Sequence, residues 1–283
     1  MTPVSERDDL EFNYRIDGPI DQAFHSHPWY EVYYFHEGVC NYLIGDRIYS
    51  LAPGDLILMN GMTLHRPKVD PNHPYVRTVI HFEPSLLKPF QDLPRSVPIL
   101  QPFRTLSNYR LSLEGKDREE VERLLETMRG YQLEGGAVAE GRLLLAFADL
   151  LHVIYGLCMQ PLRSRPNAPT EKERTVQRVI TYLEERFTEE LDMDRLQADL
   201  HVSKFYLSRL FKEVTGFTIF DFVFQRRINE AKILFLLDPG LSVTEVGFRT
   251  GFKHLAHFSR LFKRQVGMTP EKYRKSMRKQ QER

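Results

Sequence analysis

Two cysteines, one tryptophan and a net charge of only +1 are what this 283-residue chain has least of. Cys40 falls in an apparent strand and Cys158 in an apolar helical stretch, so neither a disulfide framework nor a thiolate metal site is implied, and a reducing compartment fits. The first nine residues, MTPVSERDD, lack the apolar core of a signal peptide, and no run reads as membrane-spanning. A cytoplasmic protein without a membrane partner is expected. With 42% apolar and 27% charged residues the composition is ordinary for a folded chain, and the length allows two modest domains.

The near-zero net charge hides an asymmetry. Residues 171–283 hold 22 Lys and Arg against 16 Asp and Glu, a balance of +6, while residues 1–170 hold 17 against 22, a balance of −5. From 201 onward the count is 17 basic to 7 acidic. A basic surface confined to one end of a chain points to a polyanion partner there.

That end also repeats itself. Ser208-Arg209-Leu210-Phe211-Lys212 with Gly216 and Thr218 returns as Ser259-Arg260-Leu261-Phe262-Lys263 with Gly267 and Thr269, every identity at an offset of 259 − 208 = 51. Two copies of one small helical unit are implied. In the first, residues 193–200, a turn through His201 and Val202, and a helix opened by Ser203 have the length and punctuation of a helix-turn-helix. Leu207, Leu210, Phe211 and Val214 follow the i, i+3, i+4, i+7 pattern and must face inward. Lys204, Phe205, Ser208, Arg209 and Lys212 are left outward, a positive ridge suited to a major groove, where Arg pairs with guanine and an aromatic edge meets a thymine methyl. The second copy, with its helix expected over 253–266, leaves Leu255, Ala256, Ser259, Arg260 and Lys263 outward and turns Phe258, Leu261 and Phe262 in. A helix over 220–237 joins the heads, about 27 Å long, and could set them roughly one DNA turn apart. Capping residues at Asp192, Ser203, Ser242 with Glu245, and Thr269 before Pro270 mark the helix starts.

Leu207 to Lys212, Arg227-Ile228 with Ala231-Lys232, Val246-Gly247-Phe248, Gly251-Phe252 and the run from Phe258 through Gly267-Met268-Thr269-Pro270 to Tyr273 resemble the signature of the AraC/XylS family of bacterial transcription regulators over about 174–277. The resemblance implies that both heads occupy successive major grooves. It places base contacts at Phe205, Ser208 and Arg209 in the first, and at Leu255, Ala256, Ser259 and Arg260 in the second. Leu255 and Ala256 depart from the longer polar side chains of many members, so the second head is expected to read few bases and to anchor phosphate.

The first half is different in kind. Over 24–82 short aromatic and β-branched runs alternate with turn signals at Gly38, Gly45-Asp46, Pro53-Gly54-Asp55, Asn60-Gly61 and Asp70-Pro71-Asn72, the pattern of a compact all-β unit. His25, His27, Glu31 and Gly38 have the spacing HxHxxxE(x6)G, and His65 follows in an extended run. Period-2 alternation puts His25, His27, Trp29, Glu31, Tyr33 and Phe35 on one strand face. Three imidazoles and a carboxylate inside a barrel can hold a divalent metal, hydrogen-bond an effector's hydroxyls, or serve only as structural polar groups. This stretch resembles a cupin over about 18–82, with Gly18 one residue early and Asn60 where proline is usual. The aromatics Trp29, Tyr33 and Tyr42 suit stacking on a sugar.

Between the two, 114–160 turns helical and breaks at Gly135-Gly136. Its second helix carries two apolar seams, Leu143/Phe147/Leu150/Ile154/Leu157 and Leu144/Ala148/Leu151/Tyr155/Cys158, expected to pack on the β-unit and on a partner subunit, the first seam being the intersubunit one. Residues 161–169 read as a linker and Thr170 with Glu173 as a capping box.

The expected protein is α+β: a cupin-like effector-sensing barrel over 1–112, a helical dimerisation hairpin over 113–160, a linker over 161–173 and an all-α double helix-turn-helix domain over 174–283. It would be a dimeric, non-enzymatic regulator or activator whose partners are double-stranded DNA, a small polar effector such as a sugar, and RNA polymerase. His25, His27, Trp29, Glu31, Tyr33 and His65 are the expected effector contacts, and His25, His27, Glu31 and His65 the candidate ligands of a possible divalent metal. The alternative is a metal-dependent cupin oxygenase or isomerase fused to a DNA-binding domain.

Overall fold

The computed structural model describes residues 9–18, 25–27, 29–105, 108–160 and 170–281. The expected linker over 161–169 and the first eight residues lie outside them. Two compact units divide the chain, a first one that holds the described residues up to Gln160 apart from Asp46–Ile48, and a second one that holds those from Thr170 on.

The first unit is built from β1 (Leu10–Ile16), β2 (Tyr30–Gly38), β3 (Cys40–Ile44), β4 (Arg47–Ser50), β5 (Asp55–Asn60), β6 (His65–Val69) and β7 (Tyr75–Phe82). Short helices α1 (Lys88–Gln91) and α2 (Gln101–Thr105), the strand β8 (Tyr109–Ser112), and two long helices α3 (Gly115–Glu134) and α4 (Gly136–Cys158) complete it. One sheet has the order β1-β7-β2-β5-β8, the other β4-β3-β6. The strands at either edge of the larger sheet, β1 and β8, lie outside the expected β-region, although Leu10, Phe12, Tyr14 and Ile16 do alternate with polar residues.

Alternation sorts the larger sheet into two apolar faces. Tyr33, Phe35, Ile57 and Met59 join Cys40, Tyr42 and Ile44 of the smaller sheet in the barrel interior. Val32, Tyr34, Leu56, Leu58, Ile80 and Phe82 form a second core with α3 and α4. There Val121, Leu124, Leu125 and Met128 of α3 meet Phe147, Leu150, Leu151 and Ile154 of α4, and the Phe147 ring stands 5.0 Å from that of Phe82.

This corrects the expected dimer seam. Phe147, Leu150 and Ile154 are 0%, 0% and 1% exposed within a single chain, so they cannot face a partner. The two apolar seams of α4 share one intramolecular core, each large side chain contributing about 1.5–3 kcal/mol of burial. Helix α4 also corrects the reading that no run reaches membrane-spanning length, for its 23 residues are long and apolar enough by length and composition. Burial of Ala139, Phe147, Ala148, Leu150, Leu151 and Ile154 accounts for part of that composition.

The second unit is helical: α5 (Glu171–Arg186), α6 (Met193–Leu200), α7 (Lys204–Thr215), α8 (Ile219–Leu237), α9 (Val243–Arg249), α10 (Leu255–Val266) and α11 (Pro270–Gln281). The α5 helix begins at Glu171, three residues before the expected domain start, because the Thr170–Glu173 capping box is formed in both directions. The side chains of Asp192, Ser203 and Ser242 cap α6, α7 and α9, and a second capping box, Thr218 with Asp221, opens α8. The helix α10 starts two residues later than expected, behind His254, which offers no side-chain cap. Both reading helices end on a left-handed glycine, Gly216 and Gly267, so the 51-residue repeat extends to the caps.

Candidate functional site

On α7 the buried set is Leu207, Leu210, Phe211, Val214 and Thr215, which contains the inward stripe that periodicity demands. It leaves Phe205, Ser208, Arg209 and Lys212 exposed, with Phe205 at 80%. Lys204 is half-buried, its Nζ 2.5 Å from Asp194 Oδ1, so it enters any DNA contact already paired. Beside Phe205, Tyr206 is also exposed and belongs to the same outer surface. On α10 Phe258, Leu261 and Phe262 are buried, while Ala256, Arg260 and Lys263 are exposed and Leu255 and Ser259 half-buried. A large apolar ring exposed in the first turn of a helix flanked by arginine and lysine has no packing explanation. It is the arrangement that fits base edges between phosphate contacts.

One residue ties the turn of the second head to the chain that leads into the first. Arg227, on α8, donates from Nε to the Phe187 carbonyl at 2.6 Å, from Nη1 to Gly251 O at 2.7 Å and from Nη2 to Glu189 O at 2.6 Å. The turn it reaches is itself pressed flat on the chain following α5, because a Cβ at Gly251 would lie 2.4 Å from the Thr188 carbonyl oxygen. The α9–α10 turn is therefore held against the end of α5.

In the first unit the polar residues converge on Glu31. This carboxylate is 2% exposed and stands at the start of β2, in register with His81 on the neighbouring β7, which pairs on its other side with Glu11 of β1. Its Oε2 lies 3.2 Å from His27 Nε2, 3.2 Å from His81 Nε2 and 3.5 Å from His65 Nε2. His27 lies on an irregular approach to β2, its amide bonded to Gly61 O at 2.7 Å, and His25 forms an isolated bridge with His65. Regular alternation thus starts at Tyr30, not at His25. Gly61 makes room for His27, since a Cβ there would fall 2.1 Å from His27 Nδ1.

Burial alone would raise the Glu31 carboxyl, but hydrogen bonds from His27 and His81 and the charge of His81 hold it well below the usual carboxylate range. Burial, with His25 adding to it, drives His65 down to about 3. Burial would also lower His81, yet the Glu11 and Glu31 carboxylates raise it to about 9.

The expected effector residues do not all meet. His25, His27, Glu31 and His65 do, although His25 is exposed. Trp29 meets the cluster through its backbone carbonyl, 3.2 Å from His27 Nδ1. Tyr33 is in the barrel core with its hydroxyl 2.8 Å from that of Tyr75, a wall rather than a free contact. Tyr42 comes nearer, its ring centroid 6.3 Å from that of His65. His81 was not among the expected residues. Its signal was phase: Ile80 and Phe82 face the helices, so the imidazole between them must point into the barrel.

A barrel with a polar cluster inside it and a helical unit presenting two repeated reading helices define a two-domain, DNA-binding transcription regulator with a ligand-binding domain. Residues 12–152 match the family model of the AraC-like ligand binding domain and residues 196–276 that of a helix-turn-helix domain. The chain belongs to the AraC family of transcription regulators. It is 27% identical over 259 residues to the HTH-type transcriptional activator RhaR of Enterobacter sp. (strain 638), covering 91% of this chain and 88% of that one. To the uncharacterized HTH-type transcriptional regulator YdiP of Escherichia coli (strain K12) it is 23% identical over 257 residues, 88% of this chain and 79% of the other. Among solved structures, the DNA-binding domain of AdpA in complex with a target DNA is 27% identical over 38% of this chain and 95% of that one, with a TM-score of 0.35.

Proposed function

We propose that the protein is a cytoplasmic, homodimeric transcription activator, without catalytic activity, that changes its grip on promoter DNA when a small polar effector, a sugar being the first candidate, enters the barrel beside Glu31. The observation that carries this reading is the convergence of three imidazoles on the buried Glu31 in a chain whose other unit exposes Arg209 and Arg260 at matching positions of two reading helices. The likeness to RhaR, named as an activator, supports the direction of regulation. An effector shifts the protein between two arrangements only if it binds them with different affinity. Since the Phe147 seam is internal, an apolar partner contact on α4 falls to Val138 and Leu145, which are 76% and 60% exposed.

Two experiments test the two ends. Arg209→Ala should lose about 1–3 kcal/mol on the cognate site and relax preference at one base pair, whereas Lys263→Ala should weaken all sequences alike and reduce the salt slope by about one. Fluorescence anisotropy on cognate and scrambled duplexes over a range of salt separates them; equal losses on both duplexes for Arg209→Ala would remove it from base reading. For the sensor, a thermal-shift screen against sugars identifies ligands. His27→Ala should then abolish the ligand-dependent reporter response while DNA affinity stays near the parent value. A response that survives His27→Ala and Glu31→Ala together places the effector elsewhere.

A further inference from the structure

The two copies of the 51-residue repeat differ in charge along one flank of their reading helices. Tyr206, Arg209 and Glu213 of α7 return on α10 as His257, Arg260 and Arg264, since 257 − 206, 260 − 209 and 264 − 213 are all 51. Residues at i, i+3 and i+7 share a helix face, so each trio forms one ridge. On α7 the ridge carries its own counter-charge. Glu213 Oε1 accepts from Lys172 Nζ at 2.6 Å, and Tyr206 and Arg209 both act electrostatically on that lysine. On α10 no such acid is present. Residues 246–270 contain no Asp or Glu, and among the described residues Arg260, Lys263 and Arg264 make no ion pair.

His257 stands within this uncompensated charge. Its half-buried ring meets Phe224 edge-on at 5.1 Å between centroids and Phe252 at 5.8 Å, contacts that seat the ring. Neither ring nitrogen has a hydrogen-bond partner among the described residues. Burial lowers its pKa, and Arg260 and Arg264 on its own helix, His254 in the turn before it and Arg227 on α8 lower it further. Lys253, in the same turn as His254, is paired with Glu190 at 2.6 Å. An imidazole among like charges stays neutral until an anion offsets them, and the same anion then favours the protonated ring.

We propose that His257, with Arg260 and Arg264, holds a backbone phosphate of DNA as the imidazolium, so that the second head takes up one proton from solvent when it binds. The ring N–H donates to a phosphate oxygen, a contact that positions the helix and carries no base preference. The proposal rests on α10 being a DNA-facing helix. Its sign follows from linkage: phosphate raises the His257 pKa from a free value below 6.5. The added affinity is therefore complete below the free value and is lost as pH rises through the bound one. A rise of one unit corresponds to about tenfold in affinity. The first head, with Tyr206 at the matching position, contributes no such proton.

Full-length protein is titrated onto a labelled duplex of arbitrary sequence at low salt, where backbone contacts dominate, from about pH 5.5 to 8.5, and binding is read by fluorescence anisotropy. Parent affinity should fall about tenfold as pH rises. His257→Gln should remove most of that fall, its curve joining the parent's at high pH, where both side chains are neutral. Arg264→Glu, which gives the ridge the acid that Glu213 supplies on α7, should weaken binding at every pH and flatten the profile. Thermal melting reports whether each variant folds; if Gln loosens the seat on Phe224 and Phe252, His257→Tyr fills it with the side chain of the first copy. A profile for folded His257→Gln or His257→Tyr parallel to the parent's overturns the proposal, and weaker binding by Arg260→Ala in the same assay keeps α10 on the DNA. If Arg260→Ala, His257→Gln and Arg264→Glu all bind like the parent, α10 lies off the DNA and both readings fall. Loss of the pH dependence in His254→Gln with its survival in His257→Gln moves the proton to His254 and also overturns the assignment.

Discussion

Replacing Arg227 by Ala is expected to destabilise the helical unit by about 3–4 kcal/mol and to weaken binding to a paired site far more than binding to a single half. The guanidinium donates to three backbone carbonyls, those of Phe187, Glu189 and Gly251, at 2.6–2.7 Å. It is 7% exposed, so truncation strands three acceptors with limited access to water. Hydrogen bonds from a charged donor contribute about 1.5–3 kcal/mol each but share one group, and their sum is less than additive. Burial lowers the Arg227 pKa, as expected for a cation facing carbonyls and no carboxylate. Arg227→Lys should rescue little, because one ammonium cannot span a fork of three acceptors. The single tryptophan, Trp29, is in the other unit, so its fluorescence is blind to this change. Far-ultraviolet circular dichroism during urea unfolding reads it, and a second transition unmoved by Arg227→Ala would show the three bonds to be dispensable.

The helical unit was legible in the sequence because its determinants are local. The stripe Leu207, Leu210, Phe211 and Val214 and the caps Asp192, Ser203 and Ser242 each lie within a few residues of what they control, and the 51-residue repeat returns Leu207, Leu210 and Phe211 as Phe258, Leu261 and Phe262. What local signals missed is small: His201 makes the α6–α7 turn at φ 55° without being glycine, and α10 begins behind an uncapped His254.

The sensor unit was less legible because its geometry is made by strand order. HxHxxxE gave His25, His27 and Glu31, but the partner the carboxylate finds across β2 and β7 is His81, fifty residues away, and β7 sits between β1 and β2 in the sheet. Only that order aligns Glu11, His81 and Glu31 across three strands. The same limit explains Trp29 and Tyr33, which share the parity of Glu31. One stands before the regular strand starts and the other deep in the barrel core. Nor can two apolar seams on α4 say what covers them, since a sheet, a sister helix and a second subunit all demand the same side chains.

That ambiguity is resolved by introducing charge at Leu150, which is expected to unfold the first unit rather than to make a folded monomer. Leu150 is 0% exposed in a core with Phe82, Met128, Phe147 and Ile154. Truncation to Ala there should cost about 2–5 kcal/mol from lost burial and the cavity left behind. Asp adds the desolvation of a carboxylate with no partner, bringing the loss to about 5 kcal/mol or more, comparable to the whole stability of a typical domain. Leu145→Asp, five residues away on the same helix but 60% exposed and at the proposed partner contact, should leave the unit folded. Trp29 fluorescence follows the unfolding of this unit, and sedimentation velocity follows assembly in the same samples. Loss of the Trp29 transition in Leu150→Asp, with Leu145→Asp folded, establishes the seam as internal. If Leu150→Asp instead kept a native Trp29 transition and sedimented as a smaller species than the parent, Leu150 would be an intersubunit residue and the packing of α4 on its own sheet would be wrong.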